Sequence, residues 1–197
     1  MPTITTDIDD IEDQNEAQLP TAEKKLARVI GLYGSLDEES SKPIIEELAF
    51  YVFEEGQKEI PINFLISTNG GLTSEMFAIY DFMNFAKGLG FTIRTYGIGK
   101  VMSAGLLLFS AGSKGERIAG ENVRFMIHEI SSGVQGPMSH IISEVKESQV
   151  AQDSYFSLLR KNTKLKVKDY SSQIKNGENF YFGSQEAIKF GIADKIL

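Results

Sequence analysis

The sequence predicts an α/β domain built on a largely parallel β-sheet. Short runs of β-branched and aromatic residues alternate with longer segments whose apolar residues recur at helical spacing, and glycine-rich turns separate the two. A strand–helix alternation of this kind places consecutive strands parallel and packs the helices against the sheet. Sites in such domains form in loops at the carboxyl ends of strands.

The individual elements follow from local patterns. Ile44, Leu48 and Val52 recur at helical spacing, whereas residues 60–67 form an apolar, β-rich run that ends at the turn sequence Thr68-Asn-Gly-Gly71. In chain order we predict strand 28–33, helix 37–53, strand 60–67, helix 74–87, strand 91–98, helix 103–111, strand 122–127, helix 140–161, strand 180–182 and helix 184–190.

Composition excludes several classes of function. The chain of 197 residues suits one domain, and its net charge of -7 argues against a nucleic-acid binder, which needs a clustered basic face. Cysteine is absent, so neither a disulfide framework nor a cysteine nucleophile is available. The longest apolar run, 104–109, is too short to span a bilayer, and no secretory signal is visible. We therefore expect a soluble, cytoplasmic protein that does not act on membranes.

Residues 1–20 differ from the rest of the chain. The segment is acidic and poor in apolar residues, so it cannot offset its ordering entropy by burial, and we expect a mobile N-terminal segment. Residues 21–197 are predicted to form a single domain.

Ser103 is the first candidate for chemistry. It follows a strand and a glycine-rich turn and precedes an apolar helix, whose free N–H groups can stabilise developing negative charge. The motif is not the G-x-S-x-G elbow, because Val101 occupies the first glycine position. A helix N-cap serine is the alternative interpretation.

His128 is the second candidate. It is one of two histidines and ends the strand 122–127, where it can accept the serine proton if the two loops lie side by side. A structural histidine is the alternative, and His140, at the start of a predicted helix, is expected at the surface. Gly70 and Gly71 follow another strand and can bring backbone N–H groups close to a substrate. The sequence contains no metal-binding or P-loop motif, so no cofactor is predicted.

Three motifs together resemble the proteolytic subunit of the Clp protease family. They are Lys100-Val-Met-Ser-Ala-Gly105, Ala111-Gly-Ser-Lys-Gly-Glu-Arg117 and Asn122-Val-Arg-Phe-Met-Ile-His128. The resemblance covers about 28–197. It implies a crotonase-like αβ spiral domain with a protruding strand-and-helix handle at about 129–161.

The same resemblance implies a Ser-His-Asp endopeptidase, with Ser103 as nucleophile and His128 as general base. The N–H groups of Gly71 and Ala104 would form the oxyanion hole. Unfolded polypeptides would be cleaved inside a homo-oligomeric barrel of two stacked heptameric rings, a tetradecamer, and a ring ATPase unfoldase would feed it through a pore lined by the N-terminal segment.

The sequence departs from this family at the third member of the triad. Alignment from the C-terminal motif puts Lys175 at the aspartate position, so Asn176 is the tentative third residue and Asp169 the alternative. Asn63 and Leu65 also occupy positions where aromatic residues normally help to dock the ATPase. Two other functions stay open: a weakly active or inactive subunit that supports a partner ring, and a crotonase-type acyl-CoA enzyme.

Overall fold

The computed structural model describes residues 28–197, so the expectation for the acidic segment 1–20 lies outside the described residues. The elements are β1 (Arg28–Leu36), α1 (Glu38–Ala49) with a π-helical extension (Phe50–Glu55), β2 (Ile62–Gly71), α2 (Thr73–Gly88), β3 (Ile93–Met102), α3 (Ala104–Ser110), β4 (Arg117–Ala119), β5 (Arg124–Ile127), α4 (Met138–Asn162), α5 (Val167–Lys175), β6 (Phe180–Phe182), α6 (Ser184–Lys189) and β7 (Lys195–Ile196).

The predicted α/β class with a mainly parallel sheet is confirmed. Strand β2 lies between β1 and β3, and both pairings are parallel. The long strand β3 then has two neighbours on its far side: its first half pairs with β4, and its second half pairs with β5. β7 extends β4 in parallel, and β6 pairs antiparallel with β5. The carboxyl ends of β2, β3 and β5 consequently meet at one edge of the sheet.

The core lies where α3 packs against this sheet. Every residue of α3 is buried, which explains why its sequence is apolar on all sides rather than on one face. Phe109 of α3 contacts Phe125 of β5, whose ring stacks on Phe182 of β6 at 5.4 Å between centroids. This line of aromatic rings fixes the position of β5 relative to the start of α3.

Helix α4 has two parts with different surroundings. Its second half packs on the domain through Tyr155, Phe156 and Leu159, all buried. Its first half is largely exposed, including Met138 and Val145. The helix of the expected handle therefore projects from the domain. None of the helices between residues 28 and 197 is long and apolar enough to cross a membrane.

The expected handle strand is not formed in the single chain. Residues 128–137 carry no strand assignment and pair with no other strand of the described chain. A β-ladder requires a neighbouring backbone to exchange hydrogen bonds, and residues 28–197 supply none at that position. Within the segment, the Ile130 N–H donates to the Gln152 side chain at 3.1 Å and the Pro137 carbonyl accepts from the first turn of α4, so only the other backbone groups could pair with a further strand.

Three elements were absent from the prediction. β4 and β7 contain three and two residues, which is too few for an alternating pattern to appear. Helix α5 is rich in lysine and serine and buries only Tyr170 and Ile174, so its apolar pattern is weak. The structure also starts β5 at Arg124, later than the predicted 122–127.

An ion pair joins the C-terminal end of the domain to β4. The Arg117 guanidinium donates to both carboxylate oxygens of Asp194, at 2.7 and 2.6 Å. The Asp194 carboxylate also accepts from the backbone N–H groups of Gly115 and Arg117. Burial raises the pKa of Asp194, but the hydrogen bonds and charge of Arg117 outweigh burial, so the pKa lies below its ordinary value.

We predict that Asp194→Ala lowers the free energy of unfolding by about 3 kcal/mol, because it removes the carboxylate that pairs with the buried Arg117 charge and leaves only the Asn162 carbonyl as a partner. Urea unfolding at fixed protein concentration measures the difference. Since the pKa of Asp194 is depressed on folding, the stabilisation is present above its ordinary value and is lost as pH falls through the folded-state value. The deficit of the variant should therefore shrink in acid.

Glu46→Ala is the matched control, since it removes a carboxylate from an exposed pair with Lys42. The control should change stability by no more than about 0.5 kcal/mol. Equal losses for the two variants would contradict the assigned role of the Arg117–Asp194 pair.

Candidate active site

Ser103 stands in an unusual backbone conformation between β3 and α3. Its φ of 53° and ψ of -120° lie in a region that residues other than glycine rarely adopt. Its N–H donates to the Met126 carbonyl of β5 at 2.9 Å, and its own carbonyl accepts from Leu106 N–H at 2.9 Å and from the Tyr155 hydroxyl at 3.1 Å. Contacts from three separate elements thus hold the Ser103 backbone in place.

His128 lies beside Ser103, as expected from the two loops. The β3–β5 register pairs Met102 with Met126, so the residues that follow both strands are neighbours. The His128 Nε2 atom is 2.8 Å from Ser103 Oγ. When the imidazole carries its proton on Nδ1, Nε2 accepts a hydrogen bond from the Ser103 hydroxyl. This arrangement is that of a serine nucleophile and its general base.

Partial burial affects the pKa of His128. Half-buried His128 has a pKa below its ordinary value of 6.5, because burial disfavours the charged imidazolium. The neutral form, which alone can accept a proton, therefore persists into mildly acidic solution.

The glycines of the β2 turn provide the close backbone approach that was expected. A Cβ placed on Gly70 would lie 2.6 Å from the Ser103 Cβ and 3.1 Å from the Ala104 nitrogen. The Gly70 N–H already donates to the Thr68 hydroxyl, so it is occupied. The other predicted donor residues, Gly71 and Ala104, line one small cavity together with Ser103 and His128. All four residues predicted from sequence for this part of the site therefore surround one point.

A larger cleft of about 680 Å³ opens from the Ser103–His128 pair. One wall is the β2–α2 turn, and another is the beginning of the segment that follows His128. Helix α4 closes a third side. Its lining includes Asn69, Leu72, Phe77, Ile130, Ser131, Ser132, Glu144, Glu147, Ser148 and Ala151.

The two residues considered for the third position, Asn176 and Asp169, lie at the two ends of α5. Asn176 is an exposed residue at the C-terminal end of α5, and Asp169 accepts a hydrogen bond from Lys166 N–H at 2.8 Å at the start of the same helix. Neither side chain is hydrogen bonded to His128 within the described residues.

Sheet register indicates a residue that the sequence interpretation missed. In the antiparallel β5–β6 pair, Ile127 lies opposite Phe180, so the next pair along the register is His128 and Asn179. Directly opposed residues have Cβ atoms about 5 Å apart on the same face. The sequence positions could have indicated this pair, because His128 directly follows β5 and Asn179 directly precedes β6.

Comparison with known proteins decides the family. The family model described as Clp protease matches residues 14–197. The chain belongs to the Clp protease family. It is 32% identical over 171 residues to the ATP-dependent Clp protease proteolytic subunit 1 of Chlamydia felis, covering 86% of this chain and 80% of that protein. It is 33% identical, over the same shares, to subunit 2 of Chlamydia trachomatis serovar D.

Membership in the Clp protease family confirms the resemblance found in the sequence motifs. Two positions on β2, Asn63 and Leu65, differ from the aromatic residues expected in this family. The Asn63 amide donates to the Arg28 carbonyl at 3.0 Å, and Leu65 is half-buried. An altered ATPase contact at these positions stays a prediction.

We predict that Gly70→Ala disables the Ser103–His128 pair, because the new methyl group would overlap the Ser103 side chain. Labelling of Ser103 by a fluorophosphonate should slow by about 100-fold, the scale expected when a reacting atom is displaced by about 1 Å.

Gly34→Ala controls for backbone strain. Gly34 also has a positive φ, of +81°, but a Cβ there meets nothing within 4 Å. Circular dichroism would show that both variants fold. Equal labelling rates for the two variants would mean that Gly70 does not set the position of Ser103.

Proposed function

We propose that this chain is a serine endopeptidase, the proteolytic subunit of an ATP-dependent Clp-type protease that cleaves unfolded polypeptides inside an oligomeric chamber. The observation that carries the proposal is the 2.8 Å contact between Ser103 Oγ and His128 Nε2 at the end of an open cleft. Membership in the Clp protease family and the names of the two relatives support it.

In the proposed reaction, His128 accepts the hydroxyl proton as Ser103 Oγ attacks the peptide carbonyl carbon. The carbonyl oxygen becomes an oxyanion, and the N–H groups of Gly71 and Ala104 stabilise it. His128 then donates the proton to the departing amine, which leaves an acyl group on Ser103. A water molecule then hydrolyses the acyl group. His128 accepts a proton from the water as the water oxygen attacks the acyl carbon, the bond from that carbon to Ser103 Oγ breaks, and His128 returns the proton to Oγ.

The unpaired segment after His128 provides a way to hold the substrate. Ile130, Ser131 and Ser132 line the cleft, and residues 128–137 have no strand partner in the described chain. An extended peptide can add to such an edge through backbone hydrogen bonds, independently of its side chains. This mode suits a protease that processes many unfolded sequences.

The proposal extends to assembly and partners. Exposed apolar residues on the first half of α4, among them Met138, Ile142 and Val145, favour burial against other copies of the chain. We propose a homo-oligomeric barrel of two stacked heptamers that receives substrate from a ring ATPase. The relatives are named as proteolytic subunits of an ATP-dependent protease, which supports an assembly that works with an ATPase. The cytoplasmic location likewise stays a prediction.

Ser103→Ala is the direct test. The variant should hydrolyse small fluorogenic peptides at least about 10⁴-fold more slowly, because the acyl-enzyme route is lost. A fluorophosphonate should label the parent protein on Ser103, as located by peptide mass spectrometry, and should not label the variant.

Ser139→Ala, at an exposed position at the start of α4, is the control and should keep full activity. Light scattering would show whether both variants retain the assembly of the parent. Substantial peptidase activity in Ser103→Ala, at matched assembly, would remove Ser103 from the proposed role.

For the third position we propose an amide that orients His128, and the β5–β6 register favours Asn179 over Asn176. The Asn179 amide nitrogen donates to the Tyr181 hydroxyl at 3.3 Å, so the amide oxygen is the atom that would accept from His128. An amide oxygen can accept from Nδ1–H and so fix the tautomer, but it lacks the charge that stabilises an imidazolium. Asp169 is less suited, because its carboxylate already accepts from Lys166 N–H.

The two asparagines give distinguishable predictions. If Asn179 is the orienting residue, Asn179→Ala should lower kcat/KM and Asn179→Asp should raise it, each by about tenfold or more. The acid limb of the pH profile should lie below 6.5 in the parent, because burial lowers the pKa of His128. It should move upward in Asn179→Asp, because a carboxylate stabilises the imidazolium.

The same substitutions at Asn176 should leave both the rate and the acid limb unchanged. A response at Asn176 and none at Asn179 would reverse the assignment. Absence of any response at both positions would leave Asp169→Asn as the decisive variant.

A further inference from the structure

Helix α4 presents a polar, acidic stripe to the catalytic cleft. Glu144, Glu147, Ser148 and Ala151 follow one another at helical spacing on one face, and all four line the cleft that contains Ser103. This face contains no large apolar side chain. The helix therefore forms a wall of two carboxylates, one hydroxyl and one methyl group.

The cleft also contains three apolar side chains. Leu72 and Phe77 line it from the β2–α2 turn and α2, and Ile130 lines it from the segment after His128, alongside polar residues that include Asn69, Thr73, Ser74, Ser131 and Ser132. Leu72 is 48% exposed, which leaves apolar area that an incoming chain can cover. The cleft therefore offers a side chain both hydrocarbon and carboxylates to contact.

The negative charge of this wall is only weakly compensated. The cleft is lined entirely by described residues, and none of them is lysine or arginine. His140 Nδ1 lies 4.0 Å from Glu144 Oε1, but both side chains are about half-exposed. Glu147 forms no ion pair within the described chain, and burial lowers the pKa of His128, which disfavours its charged form.

We infer that the cleft selects a lysine or arginine side chain near the scissile bond, with Glu147 as the principal specificity residue and Glu144 as the second. This inference rests on the proposed peptidase function. The hydrocarbon stem of the substrate side chain packs along Leu72, Phe77 and Ile130, and its charged end reaches the carboxylates of α4. Anionic side chains are disfavoured by like-charge repulsion at the same position.

The experiment compares peptides that differ at one position. Mixtures of otherwise identical peptides with Lys, Arg, Gln, Leu or Glu at each residue around the cleavage point are digested, and mass spectrometry gives relative kcat/KM. At low salt, Lys or Arg should be favoured over Gln and Glu at one position. Glu147→Gln and Glu144→Gln should each reduce the Lys-to-Gln ratio, by about fivefold for Glu147. Added salt should also reduce the Lys-to-Gln ratio of the parent protein.

Asp153→Asn is the matched control. It removes the same charge from the same helix, but Asp153 does not line the catalytic cleft and pairs with Gln149. Its Lys-to-Gln ratio should equal that of the parent. No preference for a cationic residue in the parent, or a ratio unchanged in both glutamate variants, would overturn the inference.

A binding measurement separates this inference from the proposed function. The Ser103→Ala variant should bind a lysine-containing peptide more tightly than its glutamine counterpart, and adding Glu147→Gln should reduce the difference. If the parent protein hydrolyses no peptide but the binding preference for lysine is present, the peptidase function is refuted and the cation-selective cleft is retained. Equal binding of both peptides would refute the cleft selectivity itself.

Discussion

The site depends on the backbone conformation of one residue. Ser103 has a positive φ, which costs a residue with a side chain on the order of 1–3 kcal/mol. Its N–H is bonded to β5, and its carbonyl accepts from α3 and from Tyr155 of α4. Because the contacts come from distant parts of the chain, the conformation exists only when the whole domain has folded. The folded backbone thus holds Ser103 where its Oγ atom lies 2.8 Å from His128 Nε2.

The same constraint explains the glycine at the neighbouring turn. The end of β2 passes so close to Ser103 that even a methyl group on Gly70 would overlap its Cβ. The Thr68 hydroxyl accepts from Gly70 N–H and donates to the Gly34 carbonyl, which ties this turn to the end of β1. These contacts tie together the ends of β1, β2 and β3, and Gly71 and Ala104 line one small cavity with Ser103 and His128. A site of this kind is preorganised by the sheet rather than by the loops alone.

The sequence was sufficient for the parts of the molecule that have a local pattern. The long strands, the buried helix after Ser103 and the placement of Ser103 and His128 at strand ends all follow from periodicity and from the rule for parallel sheets. The third position stays a proposal, because it depends on the antiparallel register of β5 and the three-residue strand β6, which no local pattern in the sequence specifies. Counting back from a C-terminal motif led to Asn176, whereas the register places Asn179 opposite His128. The handle strand did not form for a different reason: residues 28–197 provide no strand for it to pair with.

Helix α4 connects the chemistry to substrate choice. Tyr155 in its packed half donates to the Ser103 carbonyl, and Glu147 in its projecting half lines the cleft, eight residues or about 12 Å earlier along the helix. The half that supports the serine is anchored by buried aromatic residues, whereas the half that carries the carboxylates has few contacts with the rest of the described chain. Contacts with other copies would therefore adjust the carboxylate wall more easily than the Ser103–His128 distance. Substitutions on the exposed half of α4 should accordingly change which peptides are cleaved before they change the chemical step, since only the packed half touches the serine.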